Sequence, residues 1–195
     1  MLPRGCSIFA GALALCLFGC QTMHDPSQSR QVSRVYLTDT RTVELLPPSA
    51  LGRDLESYQQ IEGSYHGQTY YLDAYVQSAG GRFVMVAFNS FGTKVFEMEH
   101  TRDSIRFSTS VSPGGMKPEY ILEDFQLSFF PFEAVRRTLE TAGLSLVETK
   151  DGDTDVRTVS SEGRVIIEIR RTDGEVRYRN LLRGYQYVVR EKQQP

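Results

Sequence analysis

From residue 57 onward short turn signals cut the chain into brief β-type runs, and this pattern limits the fold more than any other feature. Connections this short join antiparallel neighbours, because parallel strands need a long crossover. The runs are 57–66, 69–77, 82–88, 94–100 and 104–109, then 156–160, 164–170, 175–182 and 185–190. In the second run Tyr70, Leu72, Ala74 and Val76 share one face and Tyr71, Asp73 and Tyr75 the other, as a half-buried strand requires. Run 82–88, Arg-Phe-Val-Met-Val-Ala-Phe, is apolar on both faces and reads as a central strand covered on both sides. Its neighbours are separated from it by Ala79-Gly80-Gly81 and Asn89-Ser90-Phe91-Gly92.

The pattern is interrupted once. Pro118-Glu119 opens a helical period with Ile121, Leu122, Phe125 and Phe129 on one side and Glu119, Glu123 and Asp124 outside. Pro131 breaks it. Phe132, Val135 and Leu139 then mark a second amphipathic helix ending near Gly143. Ahead of the strands, Leu45-Leu46-Pro47-Pro48 and Leu51-Gly52 form an irregular lead-in. A long meander must close on itself or have its edges covered. The expected fold is therefore mainly β with helices (α+β): a strongly curved antiparallel sheet, an open half-barrel, capped by two helices.

The N-terminus is of a different kind. Arg4 precedes an apolar run over 8–18 that contains alanine and glycine, and polar sequence begins at Gln21. This is a secretory signal with a core too short to span a bilayer comfortably. Leu17-Phe18-Gly19-Cys20 resembles a bacterial lipobox, in which the cysteine is acylated and becomes the first mature residue. The alternative is an ordinary signal peptide with an incidental cysteine. Cys6 and Cys16 fall in the removed segment, so Cys20 would be the only mature cysteine, unable to staple the fold. Acyl chains would each add about 0.8 kcal/mol per buried methylene. The expected organisation is a signal peptide over 1–19, a lipidated tether over 20–33 and one β domain over 34–195. Gln21, by resemblance to sorted lipoproteins, implies the outer membrane with the body on the periplasmic face.

Composition sets bounds on function. The formal charge is −2, with both signs interspersed, which does not suggest a nucleic-acid partner. The three histidines, His24, His66 and His100, lie in the tether and at strand ends without ligand spacing and read as solvated, so no metal is expected. No nucleophile motif is present, Gly80-Gly81 and Gly114-Gly115 lack the setting of a phosphate cradle, and no cofactor is implied. Asp124 and Gln126 stand out as polar residues in an apolar helix. They either orient a ligand headgroup, or cap a neighbouring backbone or simply face water. Arg136-Arg137 either attracts anionic lipid or forms a solvated helix face.

The order of elements resembles the LolA/LolB lipoprotein carriers over about 57–190. The resemblance rests on Gln60-Ile61-Glu62-Gly63, on the strand 82–88 leading into Asn89-Ser90-Phe91-Gly92, and on Phe130-Pro131-Phe132-Glu133-Ala134-Val135-Arg136. The chain looks closer still to a family of short LolB-like lipoproteins. Their marks read here as Leu46-Pro47-Pro48, Phe91-Gly92 and Asp124-Phe125-Gln126-Leu127-Ser128-Phe129-Phe130-Pro131. Members of that family often sit beside genes for aryl polyene or related fatty-acid-like synthesis. The resemblance implies a LolA/LolB-like fold and a membrane-engaging residue at Phe91; the alternative is that Phe91 folds back onto the core.

The expected function is non-catalytic: an outer-membrane lipoprotein that binds or passes an acylated or polyene-like molecule through an apolar cavity. Burial at about 25 cal/mol per Å² gives one acyl chain substantial affinity without any reacting group. The candidate lining is Val84, Val86, Phe88, Phe96, Met98, Ile121, Phe125, Phe129 and Phe132. Expected partners are the membrane, the hydrophobic ligand and, as a further candidate, a periplasmic carrier protein, with the chain itself a monomer. The alternative is a scaffold lipoprotein that docks a periplasmic or outer-membrane partner. A third reading, an enzyme acting on lipid or glycan, requires convergent polar groups with perturbed pKa values, and no such cluster is visible in the sequence.

Overall fold

The computed structural model describes residues 28–30, 34–65, 67–110 and 117–192. The signal segment, Cys20, His24, His66 and Gly114-Gly115 lie outside the described residues. The chain first forms the short strands β1 (Gln28–Arg30), β2 (Arg34–Tyr36) and β3 (Thr42–Glu44), then a single 3-10 turn at Pro48–Leu51. A first meander follows: β4 (Leu55–Tyr65), β5 (Gln68–Ala79), β6 (Arg82–Phe88), β7 (Lys94–His100) and β8 (Ile105–Thr109). Two helices come next, α1 (Pro118–Phe129) and α2 (Phe132–Thr141). A second meander completes the chain: β9 (Ser145–Asp151), β10 (Thr154–Ser161), β11 (Arg164–Thr172), β12 (Glu175–Asn180) and β13 (Tyr185–Lys192).

The two meanders form one antiparallel sheet of ten strands, in the order β8-β7-β6-β5-β4-β13-β12-β11-β10-β9, with β1 added along the β8 edge. The last strand joins the halves: β13 pairs with β4 from Tyr185↔Tyr65 to Lys192↔Tyr58. The sheet does not close, since β9 and β1 are its two edges.

Curvature follows from what α1 touches. Phe125 packs on Phe83 of β6, ring centroids 4.7 Å apart. The same helix accepts hydrogen bonds at Leu127 and Phe130 from Arg157 of β10. In sheet order β6 and β10 are separated by β5, β4, β13, β12 and β11. At about 4.8 Å per strand a flat sheet would hold them nearly 30 Å apart, whereas a helix is only about 10 Å across. The sheet must wrap round α1.

This is why α1 is buried on every side. All seven residues from Leu122 to Ser128 are buried, including Glu123, Asp124, Gln126 and Ser128. The expectation that Glu123 and Asp124 face water is thereby corrected: the period marked the most apolar stripe, but the opposite stripe also meets protein. Pro118 opens the helix and Pro131 precedes α2, as the sequence indicates. The α2 helix buries Val135 and Leu139, and its outward side carries Arg136 paired with Glu133 and Glu140 at 2.7 Å each. Arg136 thus belongs to a solvated face.

The inner face takes Ala74 and Val76, Phe83, Met85 and Ala87, Phe96 and Met98, Ile105, and from the second meander Ile167, Ile169, Tyr178 and Val189. The outer face of β6 has no second layer among the described residues. Val84 is flanked in register by Gln77 and Glu99, and Val86 by Tyr75 and Glu97. Val84 is nonetheless buried and Val86 and Phe88 half buried, so the double-sided apolarity in 82–88 reflects an outer surface screened by flanking side chains rather than by a covering element.

Candidate functional site

On the inner face, one rung of the sheet reads Ile169, Tyr178, Tyr187, Gly63, Tyr70 across β11, β12, β13, β4 and β5. Gly63 is the break in this aromatic row, and Tyr70 lies over it: a Cβ there would come within 2.2 Å of the Tyr70 ring. Tyr178 and Tyr187 stack at 4.8 Å with planes 3° apart, and Tyr178 stacks on Tyr185 at 5.8 Å.

Asp124 of α1 faces this row. The Tyr185 hydroxyl donates to both of its carboxylate oxygens at 2.9 Å, and Asn180 Nδ2 donates to the Tyr185 oxygen at 3.3 Å. Burial raises the Asp124 carboxyl to about 7, against the lowering effect of the tyrosine hydroxyls and Arg183. Glu123, beside it, is pushed well up by burial and by the Asp124 charge. Tyr70 is raised to about 12, and Tyr178, Tyr185 and Tyr187 are raised too, in each case first by burial and then by Asp124. Every phenol here keeps its proton at neutral pH. The Tyr178 hydroxyl is buried without a protein hydrogen-bond partner of ordinary geometry, and the Ser128 hydroxyl, buried too, lies close enough to the Tyr187 phenol to act on it. Tyr178 is near enough to act on Asp124 electrostatically but makes no hydrogen bond of ordinary geometry to it.

Four apolar side chains stay half buried at the margin of the core. Ile61 and Leu72 face each other across β4 and β5 one rung from Gly63 and Tyr70. With Ile121 and Phe129 of α1 they remain only half buried, although they pack against the core. Phe129 stacks on Phe125 at 4.7 Å.

The nine candidate lining residues divide into three groups. Ile121, Phe129 and Phe132 sit half buried at the core margin. Phe96, Met98 and Phe125 are inside, but packed among core side chains. Val84, Val86 and Phe88 are corrected: they project from the opposite face to Phe83, Met85 and Ala87, because β6 alternates and the inner set is in register with Met98 and Phe96. A double-apolar strand gives no period from which to choose the face.

The polar residues of the helix motif separate in role. Gln126 accepts from the Leu46 backbone N–H at 2.9 Å and donates to the Leu46 carbonyl at 2.7 Å. It fastens the Leu-Pro-Pro lead-in to α1, a backbone cap. Asp124 instead meets the tyrosines. His100 is also corrected: it is buried, not solvated, with Nε2 3.0 Å from the same Leu46 carbonyl and its pKa lowered by burial. Phe91 stands at the tip of the β6–β7 turn and is 93% exposed. Asn89 builds that turn, its Oδ1 accepting from the N–H groups of Phe91 and Thr93 at 3.0 Å each.

The sequence reading missed Tyr70, Tyr178, Tyr185 and Tyr187 as a set. Their common signal was inward parity on three strands, legible only once the register is known.

Fold and site together define an α+β protein dominated by an open antiparallel sheet, with a helix threaded through its concave side past an acid–tyrosine cluster. Residues 56–193 match the family described as "Protein of unknown function (DUF3261)", and the chain belongs to that family. No curated protein matches the chain.

Proposed function

We propose that this is a LolB-like outer-membrane lipoprotein that binds an acyl or polyene-like molecule non-covalently on the concave face of its sheet. Cys20 carries the lipid anchor, the body faces the periplasm, and Phe91 engages the membrane. The observation that carries this reading is a margin of apolar surface left only half buried, Ile61 and Leu72 on the inner face of the sheet and Ile121 and Phe129 on α1. Hydrocarbon laid on it would remove that apolar surface from water. The adjoining cluster supplies protonated phenols and a carboxyl that titrates near neutrality, which suits a polar headgroup. None of its hydroxyls is activated for attack, since burial raises every one, so we read the cluster as orienting rather than catalytic.

A scaffold that docks a periplasmic or outer-membrane protein is the second reading. The burial of Phe96, Met98 and Phe125 favours it, because Phe125 is covered by Phe83, Phe96 by Phe107, and all three lie within the core. Native mass spectrometry on residues 21–195 released into the periplasm separates the two. A stoichiometric acyl or polyene adduct supports the carrier. An empty protein that also ignores fluorescent fatty-acid probes supports the scaffold. For Phe91, the variant Phe91→Glu is expected to lower recovery of the protein's transfer or membrane contact with its melting temperature unchanged. A large drop in melting temperature would instead assign Phe91 a packing role.

A further inference from the structure

Strand direction alternates along the sheet, so the turns fall into two rims. One rim holds the turns between β4 and β5, β6 and β7, β10 and β11, and β12 and β13. Phe91, Tyr65, Leu181 and Leu182 are exposed at three of them. These three tips are consecutive along the rim, each two strands, or about 10 Å, from the next. The turns of the opposite rim instead expose Asp103, Asp151, Asp153 and Asp173, with Arg82 and Arg102 among them and Asp151 paired with Arg170, and none of the exposed large apolar side chains. Arg183 accompanies Leu181 and Leu182, half buried with its guanidinium 4.2 Å over the Tyr120 ring and donating to the Tyr36 carbonyl, and Arg164 borders the neighbouring tip beside Glu162.

The chain's own course points the same way. β1 pairs antiparallel with β8, Gln28 opposite Phe107 and Arg30 opposite Ile105. β8 runs toward the apolar rim, so the chain reaches Gln28 from that rim's side. Only residues 20–27 separate Cys20 from β1, a reach of at most about 28 Å.

We propose that this rim is a three-point docking face for a bilayer carrying anionic phospholipid, with Tyr65, Phe91 and Leu181-Leu182 entering the interface and the acidic rim turned away. The proposal deepens the membrane reading above and rests on acylation of Cys20 for its tether argument. Apolar tips flanked by Arg164 and Arg183 against a single Glu162 match such a surface, whereas the opposite turns, four aspartates against Arg82 and Arg102, are net negative and repelled by it. Three contacts rather than one would fix the tilt of the whole sheet over the membrane.

The test uses the full chain, processed in the cell and reconstituted into phosphatidylethanolamine–phosphatidylglycerol vesicles. Acylated Cys20 leaves no competing thiol. Phe91→Cys, Leu182→Cys, Asp103→Cys and Asp173→Cys, each labelled with an environment-sensitive nitrobenzoxadiazole dye, are read by emission and by vesicle flotation. A blue shift at 91 and 182 with none at 103 and 173 is the expected result. Flotation with no shift at 182, or with a shift at 103 or 173, overturns the docking face and leaves the anchor standing. Loss of flotation with shifts at 91 and 182 at high lipid overturns the anchor and keeps the face. Loss of both overturns both.

Discussion

With its guanidinium inside the curved sheet, Arg157 serves three acceptors at once: the carbonyls of Leu127 and Phe130 and the Glu148 carboxylate. The two carbonyls sit at the C-terminal end of α1, where a helix has no internal donors left. Arg157→Met would strand those carbonyls and leave Glu148 with Arg171 alone. We expect a loss on the order of 3–5 kcal/mol in urea unfolding, with Arg157→Lys recovering a part of it. Asp124 makes a prediction of a different kind. Its folded pKa of about 7 lies above the usual carboxylate range, so the folded chain holds a proton there that the unfolded chain gives up near pH 4. Its contribution therefore favours folding at acid pH and is lost as pH rises from about 4 through about 7. Glu123 acts in the same sense. Thermal melts should show Asp124→Asn less sensitive to that pH interval than the unmodified chain. An unchanged pH dependence would show that Asp124 is ionised throughout. At this scale the sequence was partly legible. Asp124 and Gln126 are conspicuous as polar residues in an apolar helix, but only the fold shows that Gln126 grips Leu46, eighty positions away in the chain. Arg157 carried no signal, since an arginine in an alternating strand reads as a surface residue.

Among the elements, the lead-in is tied to α1 by Gln126 and to β7 by His100, both at Leu46. Gln126→Leu keeps the bulk and removes both hydrogen bonds, leaving the Leu46 N–H unpaired. We expect about 2 kcal/mol of destabilisation in chemical unfolding and faster proteolysis ahead of β4. The β6–β7 turn should behave oppositely. Its hydrogen bonds come from Asn89 and not from the aromatic ring, so Phe91→Ser should change folding stability by less than about 0.5 kcal/mol. The meanders and both helices were legible because turn signals and prolines stop each run. Four elements were not. β1 falls within the 20–33 stretch read as a tether, where three residues carry no period. β9 buries only Leu146, so it lacks the alternation that marks a strand. β2 and β3 are too short for any period and exist because α1 and α2 lie against them.

At the scale of the molecule, the sheet is built from two local meanders whose only direct strand-to-strand connection among the described residues is β13 against β4. Removing residues 185–195 should therefore do more than trim an edge. It would unpair β4 along eight registered positions and remove Tyr185 and Tyr187 from α1. We expect such a chain to lose cooperative unfolding, as read by circular dichroism melts. The open half-barrel was legible from meander length and the need to cover edges. The path of the helix through it was not, because a helix period records its most apolar stripe and stays silent about partners for the rest.

The pairing of the first long strand with the last also sets a schedule. A chain made from its N-terminus completes β4 to β8 long before β13 exists, so β4 presents one bare, eleven-residue edge for most of synthesis. Bare edges recruit other strands, and the right one lies more than a hundred residues downstream. Folding speed should hence be limited by one late loop closure. Conditions that slow delivery of the C-terminus should yield aggregates seeded at β4 rather than at the apolar helix.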